Sequence, residues 1–551
     1  MFKRIASCLL ILVLSVGVLS GCSSTPKEKD EVKDTNKEVT VAPKQGDSTD
    51  TEAPADTEDL YAEKISFTVL SLDDTKDFMN YPLVVEAKEK FNFDFEIQQV
   101  AWDNWDQTVR TLAATDSLPE VVTWYNLNYE EYLSWVDQGV LKALPEDLSV
   151  YPELQRITDN YNVFDKIRVD GKLYTFPKVM NSNPYNNYDP YFITYRRDWA
   201  AEMGKNFAPV EELTWDEFVA FLEEVKQKDA AGLQDKLVPF DLVDGGGSWL
   251  QFIRRMFNNG IAGFVKVDGE YVWGPRDESS LVGIKAVKEL YDKGLIARDS
   301  YADKKGMGKE RFYAGRSATY FSNFNIATLN EGVQNIQKST SDFTEVDLGI
   351  LAVSNSAGEY LVTQKSEWWA AMAFSSKCRD EVMDRWLAVA NWMIEQEQVE
   401  KYAYGIPGED WTKEADGTIK LNWTPEDVVQ GAPKDYIVDQ RLFQKFFILE
   451  GMDVWLEGNP AYSSYMVNDL FQTALKTYEK NPVYTPSDYD LGFFSGPKKN
   501  EFIGLLGSEA NNAVIQAVLS NDPEKVWNDF LEANAKKADE VLAELNSELI
   551  N

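Results

Sequence analysis

An early alternation of strand and helix patterns is the feature that most constrains the fold of this chain. Residues Ile65 to Leu70 alternate like a β-strand, and Leu83 to Phe91 places its apolar residues at helical spacing. The same order continues with a strand over Phe93–Val100, a helix over Trp105–Ala114, a strand over Pro119–Trp124 and a helix over Glu130–Gln138. Strands and helices that alternate in this way form a parallel sheet covered by helices on both faces. The chain is therefore predicted to be an α/β protein.

The N-terminus resembles the signal peptide of a bacterial lipoprotein. Lys3 and Arg4 precede an apolar run, Ile5 to Leu19, that is too short for a permanent membrane span. The run ends in Leu19-Ser20-Gly21-Cys22, which is similar to a lipobox, where cleavage leaves a cysteine whose thiol carries a diacylglyceryl group. We expect residues 1–21 to be the signal peptide and Cys22 to be the lipidation site. An ordinary secretory signal with a chance cysteine is the alternative.

The segment that follows the cysteine has too few apolar residues to build a core. Residues 22–60 consist mostly of Lys, Glu, Asp, Thr, Ser, Ala and Pro, with no aromatic residue. Such a composition cannot bury enough apolar surface to offset the entropy lost on ordering. We predict a disordered tether that holds the folded part away from the membrane while leaving it free to reorient.

The composition of the chain excludes several classes of function. The formal net charge is −36, and it becomes −38 once Lys3 and Arg4 leave with the signal (−36 − 2). Nucleic acids and anionic membrane surfaces attract cationic proteins, so neither is an expected partner. The sequence contains no histidine, which excludes Ser-His-Asp and Cys-His catalytic arrangements and histidine-ligated zinc. Cys378 has no histidine to activate its thiol, and we expect it to be structural. No phosphate-binding glycine loop and no calcium-binding loop pattern occurs, so no cofactor and no metal is predicted.

A series of short motifs, spread in order over most of the folded region, resembles the family 1 extracellular solute-binding proteins of ABC transporters. The motifs are Trp102–Val122, Gly171–Pro177, Tyr191–Trp199, Leu213–Phe218, Phe312–Tyr320, Ala373–Cys378 and Tyr404–Trp411. The last of these resembles a loop found in lipoprotein members from low-GC Gram-positive bacteria. The chain departs from the family pattern at Glu120, where the family has Asp, at Thr175, where it has Gly, and at Pro407, where the subgroup often has Glu.

The resemblance implies a two-lobed fold of the type II periplasmic-binding-protein kind. Its lobes would be discontinuous in sequence and joined by hinge crossings, with a helical C-terminal part. The N-terminal lobe would comprise residues 64–180 and 354–401, and the C-terminal lobe residues 188–352 and 402–551. From the residues alone, Asp522 and Pro523 are a favourable start for a long helix near the C-terminus.

Candidate ligand-binding residues follow from their positions, because ligands bind at the carboxyl ends of strands and between lobes. Sugar rings pack on Trp and Tyr faces, and their hydroxyls need Asp, Asn and Arg partners. The candidates are Ser71, Asp73, Asp74, Trp102, Trp124, Tyr125, Asn126, Trp249, Ser322, Asn323, Phe324, Trp368 and Trp411. Trp249 follows Gly245-Gly246-Gly247 and is expected on a flexible loop. For each aromatic candidate, a place in the core is the alternative.

The predicted function is import-linked binding, with no reaction catalysed. Two lobes would close about a hinge on an oligosaccharide or another small organic solute, and the closed form would be recognised by ABC permease subunits. We expect a monomer on the outer face of the cytoplasmic membrane that touches the membrane only through its lipid. A secreted glycoside hydrolase with a carboxylate pair, or a sensory or adhesion lipoprotein on the same fold, remains the alternative.

Overall fold

The computed structural model describes most of the chain beyond the N-terminal region. The described residues are 61–72, 78–101, 104–125, 128–179, 191–242, 247–304, 306–324, 326–355, 357–363, 368–428, 433–439, 446–447, 467–485 and 488–550. The predicted signal peptide, the lipidation site Cys22 and the predicted tether lie outside these residues. Within these ranges, no helix combines the length and the apolar character needed to cross a membrane.

The described chain contains both strands and helices throughout its length. The strands are β1 Ile65–Leu72, β2 Phe93–Val100, β3 Val121–Tyr125, β4 Thr175–Val179, β5 Tyr191–Arg196, β6 Val210–Thr214, β7 Val238–Leu242, β8 Phe264–Val267, β9 Glu270–Trp273, β10 Ser317–Asn323, β11 Leu348–Ser354, β12 Tyr360–Thr363, β13 Trp368–Phe374, β14 Trp411–Lys413, β15 Ile419–Leu421 and β16 Pro482–Thr485. The helices are α1 Pro82–Phe91, α2 Trp105–Ala114, α3 Tyr129–Asp137, α4 Pro152–Asn160, α5 Val163–Lys166, α6 Arg197–Glu202, α7 Trp215–Lys228, α8 Ser248–Met256, α9 Glu278–Asp292, α10 Met307–Tyr313, α11 Ile326–Ser339, α12 Asp380–Ile394, α13 Gln396–Tyr404, α14 Tyr436–Asp439, α15 Asn468–Tyr478, α16 Tyr489–Gly492, α17 Pro497–Leu519 and α18 Pro523–Leu549.

The first sheet confirms the predicted alternation and adds a strand from far along the chain. Its order is β2-β1-β3-β13-β4. Strand β1 is parallel to β2 and β3, with Val69 opposite Val121. Strand β13 runs antiparallel between β3 and β4, with Ala373 opposite both Val122 and Thr175. The first lobe is therefore built from two separate parts of the sequence.

The second sheet has the order β6-β11-β5-β10-β7 and forms the centre of the second lobe. Strand β5 is antiparallel to both of its neighbours, and the other pairs are parallel. Two chain crossings join the sheets: one leads from Val179 to Tyr191, and the other from Ser354 to Trp368. Because β5 and β13 run against their neighbours, each crossing joins the carboxyl edge of one sheet to the carboxyl edge of the other. These two edges are where a ligand site is expected.

Local signals explain how the helices begin. Helix α7 starts at a capping box, in which Thr214 accepts from the Glu217 backbone and the Glu217 carboxylate accepts from the Thr214 backbone. Helix α18 is capped by Asp522, whose side chain accepts from the Lys525 backbone, and Pro523 follows in the first turn. Both starts were predicted from the sequence.

Aromatic residues of α15 connect the cores of the two lobes. One set of buried residues in mutual contact covers the first sheet and one face of the second, including Phe192 and Ile350. The rings of Phe471 and Tyr478 lie 6.0 and 5.2 Å from that of Phe192. A second set covers the other face of the second sheet and includes the C-terminal helices α17 and α18. Apolar packing thus runs without a break from one lobe into the other.

Part of the segment that follows α13 packs on the first lobe, whereas the sequence predicted the second. The ring of Phe446 stacks 5.7 Å from Phe78, and Phe447 stacks 5.7 Å from Trp386. The indole of Trp386 also donates to the Phe446 carbonyl at 2.8 Å. The boundary at residue 402 is therefore too early for these residues, whereas α17 and α18 pack on the second sheet.

Candidate functional site

Two buried hydroxyls lie near the carboxyl edge of the first sheet. Ser71 is the last residue but one of β1, and the register that pairs Leu70 with Val122 puts Thr123 beside it on β3. Both side chains are fully buried, and neither hydroxyl has a hydrogen-bond partner in the described part of the chain. A buried polar group without a partner costs about 1–3 kcal/mol and calls for an explanation. Ser71 was predicted as a site residue; Thr123 was not.

Several other predicted site residues end strands at this edge or lie outside the described residues. Trp124 and Tyr125 are the last residues of β3, where their backbones pair with Ala371 and Ala370. The residues outside the described ranges are Asp73, Asp74, Trp102 and Asn126.

Trp249 belongs to the core of the second lobe, so the prediction of an exposed ring on a loop is wrong. It lies in the first turn of α8, and its side chain is 1% exposed. Its Nε1 donates to Ser300 Oγ at 2.9 Å, and its ring contacts Tyr291 and Tyr301. The indole nitrogen therefore already has its hydrogen-bond acceptor inside the lobe, and the buried ring has no exposed face for a ligand.

Trp411 and Phe324 are also buried, contrary to prediction. Trp411 begins β14; its Nε1 donates to the Gly405 carbonyl at 3.0 Å, and its ring contacts Tyr404. The ring of Phe324 lies edge-on to that of Tyr320 at 6.0 Å. Just before it, Ser322 and Asn323 end β10 at the carboxyl edge of the second sheet, with Ser322 half-buried and Asn323 exposed. Both residues stay candidates for binding a ligand.

Trp368 lies in a group of half-buried rings at the carboxyl edge of the first sheet. Its ring stacks on that of Phe493, with 5.8 Å between the ring centres. The ring of Tyr489 also stacks on that of Phe493, with 6.2 Å between the centres. Tyr129, at the start of α3, meets Phe493 edge-on at 5.4 Å. We call Tyr129, Trp368, Tyr489 and Phe493 the aromatic wall. Of these four residues, only Trp368 was a candidate from the sequence, because nothing local relates α16 to β13.

Two amide oxygens without donors lie at the start of α8 in the second lobe. Oε1 of Gln251 and Oδ1 of Asn511 are buried, and neither has a hydrogen-bond partner among the described residues. Gly247 precedes α8 with a φ of 126°, and a Cβ built on it would lie 3.4 Å from Asn511 Oδ1. Asn511 of α17 therefore lies against the start of the helix that follows β7. Neither amide was singled out from the sequence, since a helical Asn or Gln carries no special signal.

An arginine is stacked on a tyrosine near the same edge. The guanidinium of Arg255 lies 4.4 Å from the centre of the Tyr191 ring, and Tyr191 is the first residue of β5. Such a contact orients the planar guanidinium over the ring face.

An arginine holds two buried carboxylates of the second lobe. Arg311 donates to Asp241 Oδ1 at 2.6 Å and also pairs with Asp303, and Ser317 donates to Asp241. Burial raises the pKa of Asp241, an effect that the hydrogen bonds from Arg311 oppose. Removing one member of this network would leave an uncompensated buried charge, which costs about 3–5 kcal/mol. In the described residues, no three carboxylate or thiol side chains cluster closely enough to hold a metal ion.

Cys378 is buried beside α12, as its predicted structural role requires. Burial raises the pKa of its thiol to about 12. The thiol is therefore protonated and unreactive at neutral pH.

Comparisons with known proteins agree with this architecture. Residues 83–407 match the model of the bacterial extracellular solute-binding protein family. A comparison with curated protein sequences gives no match.

Three solved structures illustrate the similarity of fold. The alginate-binding protein AlgQ2, solved without calcium ion, is 15% identical and has a TM-score of 0.64 over 88% of this chain and 97% of its own. The Streptococcus pneumoniae ABC-transporter substrate-binding protein FusA, in complex with kestose, is 13% identical with a TM-score of 0.61 over 87% and 97%. An HMO-binding, ABC-transporter-associated solute-binding protein from Bifidobacterium longum infantis is 14% identical with a TM-score of 0.59 over 87% and 97%.

Proposed function

The chain belongs to the bacterial extracellular solute-binding proteins, and on that premise we propose that it captures an oligosaccharide between its two lobes for an ABC importer. The solute would leave the protein unchanged, without any bond made or broken. The aromatic wall is the single observation that carries the choice of a carbohydrate. Half-buried rings from both lobes offer flat apolar faces at the edge where a solute would enter, and the C–H faces of sugars pack on such rings.

Unpartnered polar atoms on both carboxyl edges support the same proposal. Ser71 and Thr123 offer hydroxyls from the first lobe, and Gln251 and Asn511 offer acceptor oxygens from the second. A sugar hydroxyl both donates and accepts, so it can satisfy either kind of group. The similar structures named for alginate, kestose and HMO binding also support a carbohydrate as the solute class.

We propose that the protein is anchored outside the cytoplasmic membrane by a lipid on Cys22. The lipobox-like sequence Leu19-Ser20-Gly21-Cys22 supports the anchor. Cys22→Ala should abolish the incorporation of labelled palmitate, because the thiol that would carry the lipid is gone. Incorporation of palmitate into this variant at the level of the unaltered chain would contradict a lipid on Cys22.

Thermal unfolding with a panel of oligosaccharides tests the binding function. A solute that binds only the folded protein adds about 2.7 kcal/mol of stability at one hundred times its Kd, so Tm should rise by several degrees. The same samples are also analysed for new reducing ends, which a glycoside hydrolase would release and a binding protein would not. Release of reducing ends on prolonged incubation would overturn the proposal in favour of a hydrolase.

Substitution of the aromatic wall tests the site. Trp368→Ala should weaken binding by about 1–2 kcal/mol, or roughly tenfold in Kd, because a sugar would lose its stacking partner. Titration calorimetry measures the change. Tyr484, which is 57% exposed on β16, provides the control, and Tyr484→Ala should leave Kd unchanged. Equal losses in both variants would contradict the proposed location.

A further inference from the structure

A short segment around α16 is fixed to the second lobe. Tyr271 of β9 donates from its hydroxyl to Asp488 Oδ1 at 3.1 Å. At the other end, the backbone amides of Lys498 and Lys499 donate to the Glu544 carboxylate of α18 at 3.0 and 2.7 Å. Residues 488–499 therefore move with the second lobe.

The same segment contacts the first lobe through two ion pairs. Lys499 Nζ lies 2.8 Å from Glu130 Oε1 at the start of α3. Lys166 Nζ, at the end of α5, lies 2.6 Å from Asp490 Oδ1. Between these pairs, Phe493 packs on Trp368 and Tyr129 of the first lobe. Charged and apolar contacts thus bridge the lobes within one short stretch of chain.

The pair between Lys499 and Glu130 is shielded from solvent. The side chain of Lys499 is 7% exposed and that of Glu130 is 26% exposed. Lys499 Nζ also donates to the Phe494 carbonyl at 2.6 Å, which holds the amine in place. Buried pairs of this kind are screened much less by salt than pairs on the open surface. The pair between Lys166 and Asp490 is more exposed and should be weaker.

The bridge lies on the side of the lobes where a solute would bind. Tyr129 and Glu130 follow the carboxyl end of β3, and Trp368 begins β13 at the same edge of the sheet. Contacts made on this side draw the carboxyl edges towards each other. We propose that residues 488–499 form an interlobe clasp that holds the lobes partly closed before any solute binds. A protein that is already partly closed binds its solute more tightly. This effect of the clasp on affinity rests on the proposed function.

Distance measurements between spin labels on the two lobes test the clasp without any solute. Val150 and Val282 are 74% and 56% exposed, on the first and second lobes, and can be replaced by labelled cysteines. The full chain with Cys8→Ala and Cys22→Ala is suitable, because the remaining native cysteine, Cys378, is buried. The double variant Lys499→Met, Asp490→Asn should shift the distance distribution to longer values. Glu130→Gln, a milder change, should shift it in the same direction.

A neighbouring ion pair provides the matched control. Lys498 pairs with Glu540 at 2.9 Å within the second lobe. Lys498→Met should therefore leave the distribution unchanged. Raising the salt from about 0.1 M to about 1 M shortens the Debye length from ~10 to ~3 Å. Because the pair between Lys499 and Glu130 is shielded from solvent, high salt should lengthen the distances in the unaltered chain less than the double substitution does.

An unchanged distribution, or a shift to shorter distances, in the double variant would overturn the clasp. Circular dichroism shows whether each variant is folded. If the double variant does not fold, the distance distribution of Glu130→Gln tests the clasp in its place. Because no solute is present, the clasp can fail while the binding function stands. Conversely, an absence of oligosaccharide binding would overturn the proposed function and leave the distance result intact.

Discussion

The indole of Trp249 shares a hydrogen bond with Ser300 and ring contacts with Tyr291 and Tyr301, all inside the second lobe. Trp249→Ala should lower the free energy of unfolding by about 3–5 kcal/mol, because it leaves a cavity and an unpaired hydroxyl. Denaturation in urea measures the loss. Trp249→Phe retains most of the apolar contact and should cost less. If a variant still folds, its Tm should rise with solute as much as that of the unaltered chain. Such a rise would confirm that Trp249 does not bind the solute.

Single residues could be assigned from the sequence only where the signal was local. Thr214 was predicted as a helix cap because its partner, Glu217, is three residues away. The burial of Trp249 and Trp411 was missed because their partners come from elements whose positions are not set by the neighbouring sequence. Trp368 was a candidate from the sequence, but the other rings of the aromatic wall come from α3 and α16. Side-chain burial depends on tertiary contacts, and a loop-like position alone does not establish exposure.

At the scale of elements, the strands and helices from β1 to α3 follow the predicted order. Hydrophobic periodicity is a property of the local sequence, so it predicts the type of each element without knowledge of its tertiary contacts. The family resemblance implied only that residues 354–401, which include β13, belong to the first lobe, and it gave no place for β13 in the sheet. Pairing such as Ala373 with Val122 joins strands that are far apart in sequence, and no periodicity encodes it. The placement of Phe446 and Phe447 on the first lobe was missed for the same reason.

An ion pair near the second crossing should make the stability of the fold depend on pH. Glu212 of β6 pairs with Lys480 and accepts from the Tyr360 hydroxyl of β12 at 3.1 Å. The hydrogen bond from Lys480, which outweighs the effect of burial, lowers the pKa of Glu212 below its ordinary value of 4.5. A carboxyl group whose pKa is lowered on folding stabilises the protein above its ordinary pKa, and this stabilisation is lost as pH falls through the folded value.

Glu212→Gln should therefore be less stable than the unaltered chain near neutral pH, and the difference should shrink below about pH 4.5. Urea midpoints measured between about pH 3 and about pH 7 give the comparison. Lys480→Met, which removes the partner, should reduce the same pH dependence. A deficit of constant size across this range would mean that Glu212 acts through packing and not through its charge.

At the scale of the whole molecule, the shared apolar core should make the lobes unfold together. The packing of Phe471 and Tyr478 on Phe192 continues the first-lobe core onto the second sheet. We expect one thermal transition in which tryptophan fluorescence and far-ultraviolet circular dichroism coincide, with equal calorimetric and van't Hoff enthalpies. Phe471→Ala should lower the midpoint seen by both probes. Two separate transitions in the unaltered chain would show that the lobes are energetically independent.

The place of β13 inside the first sheet has a consequence for how the protein is made. In the described part of the chain, β4 pairs with no strand except β13, and β3 takes β13 as its second neighbour. Residues that build the second sheet, from β5 to β11, leave the ribosome before β13 does. A nascent chain that emerges N-terminus first thus cannot finish its first domain early, unlike most multidomain proteins. The first sheet therefore stays incomplete until most of the chain has been synthesised.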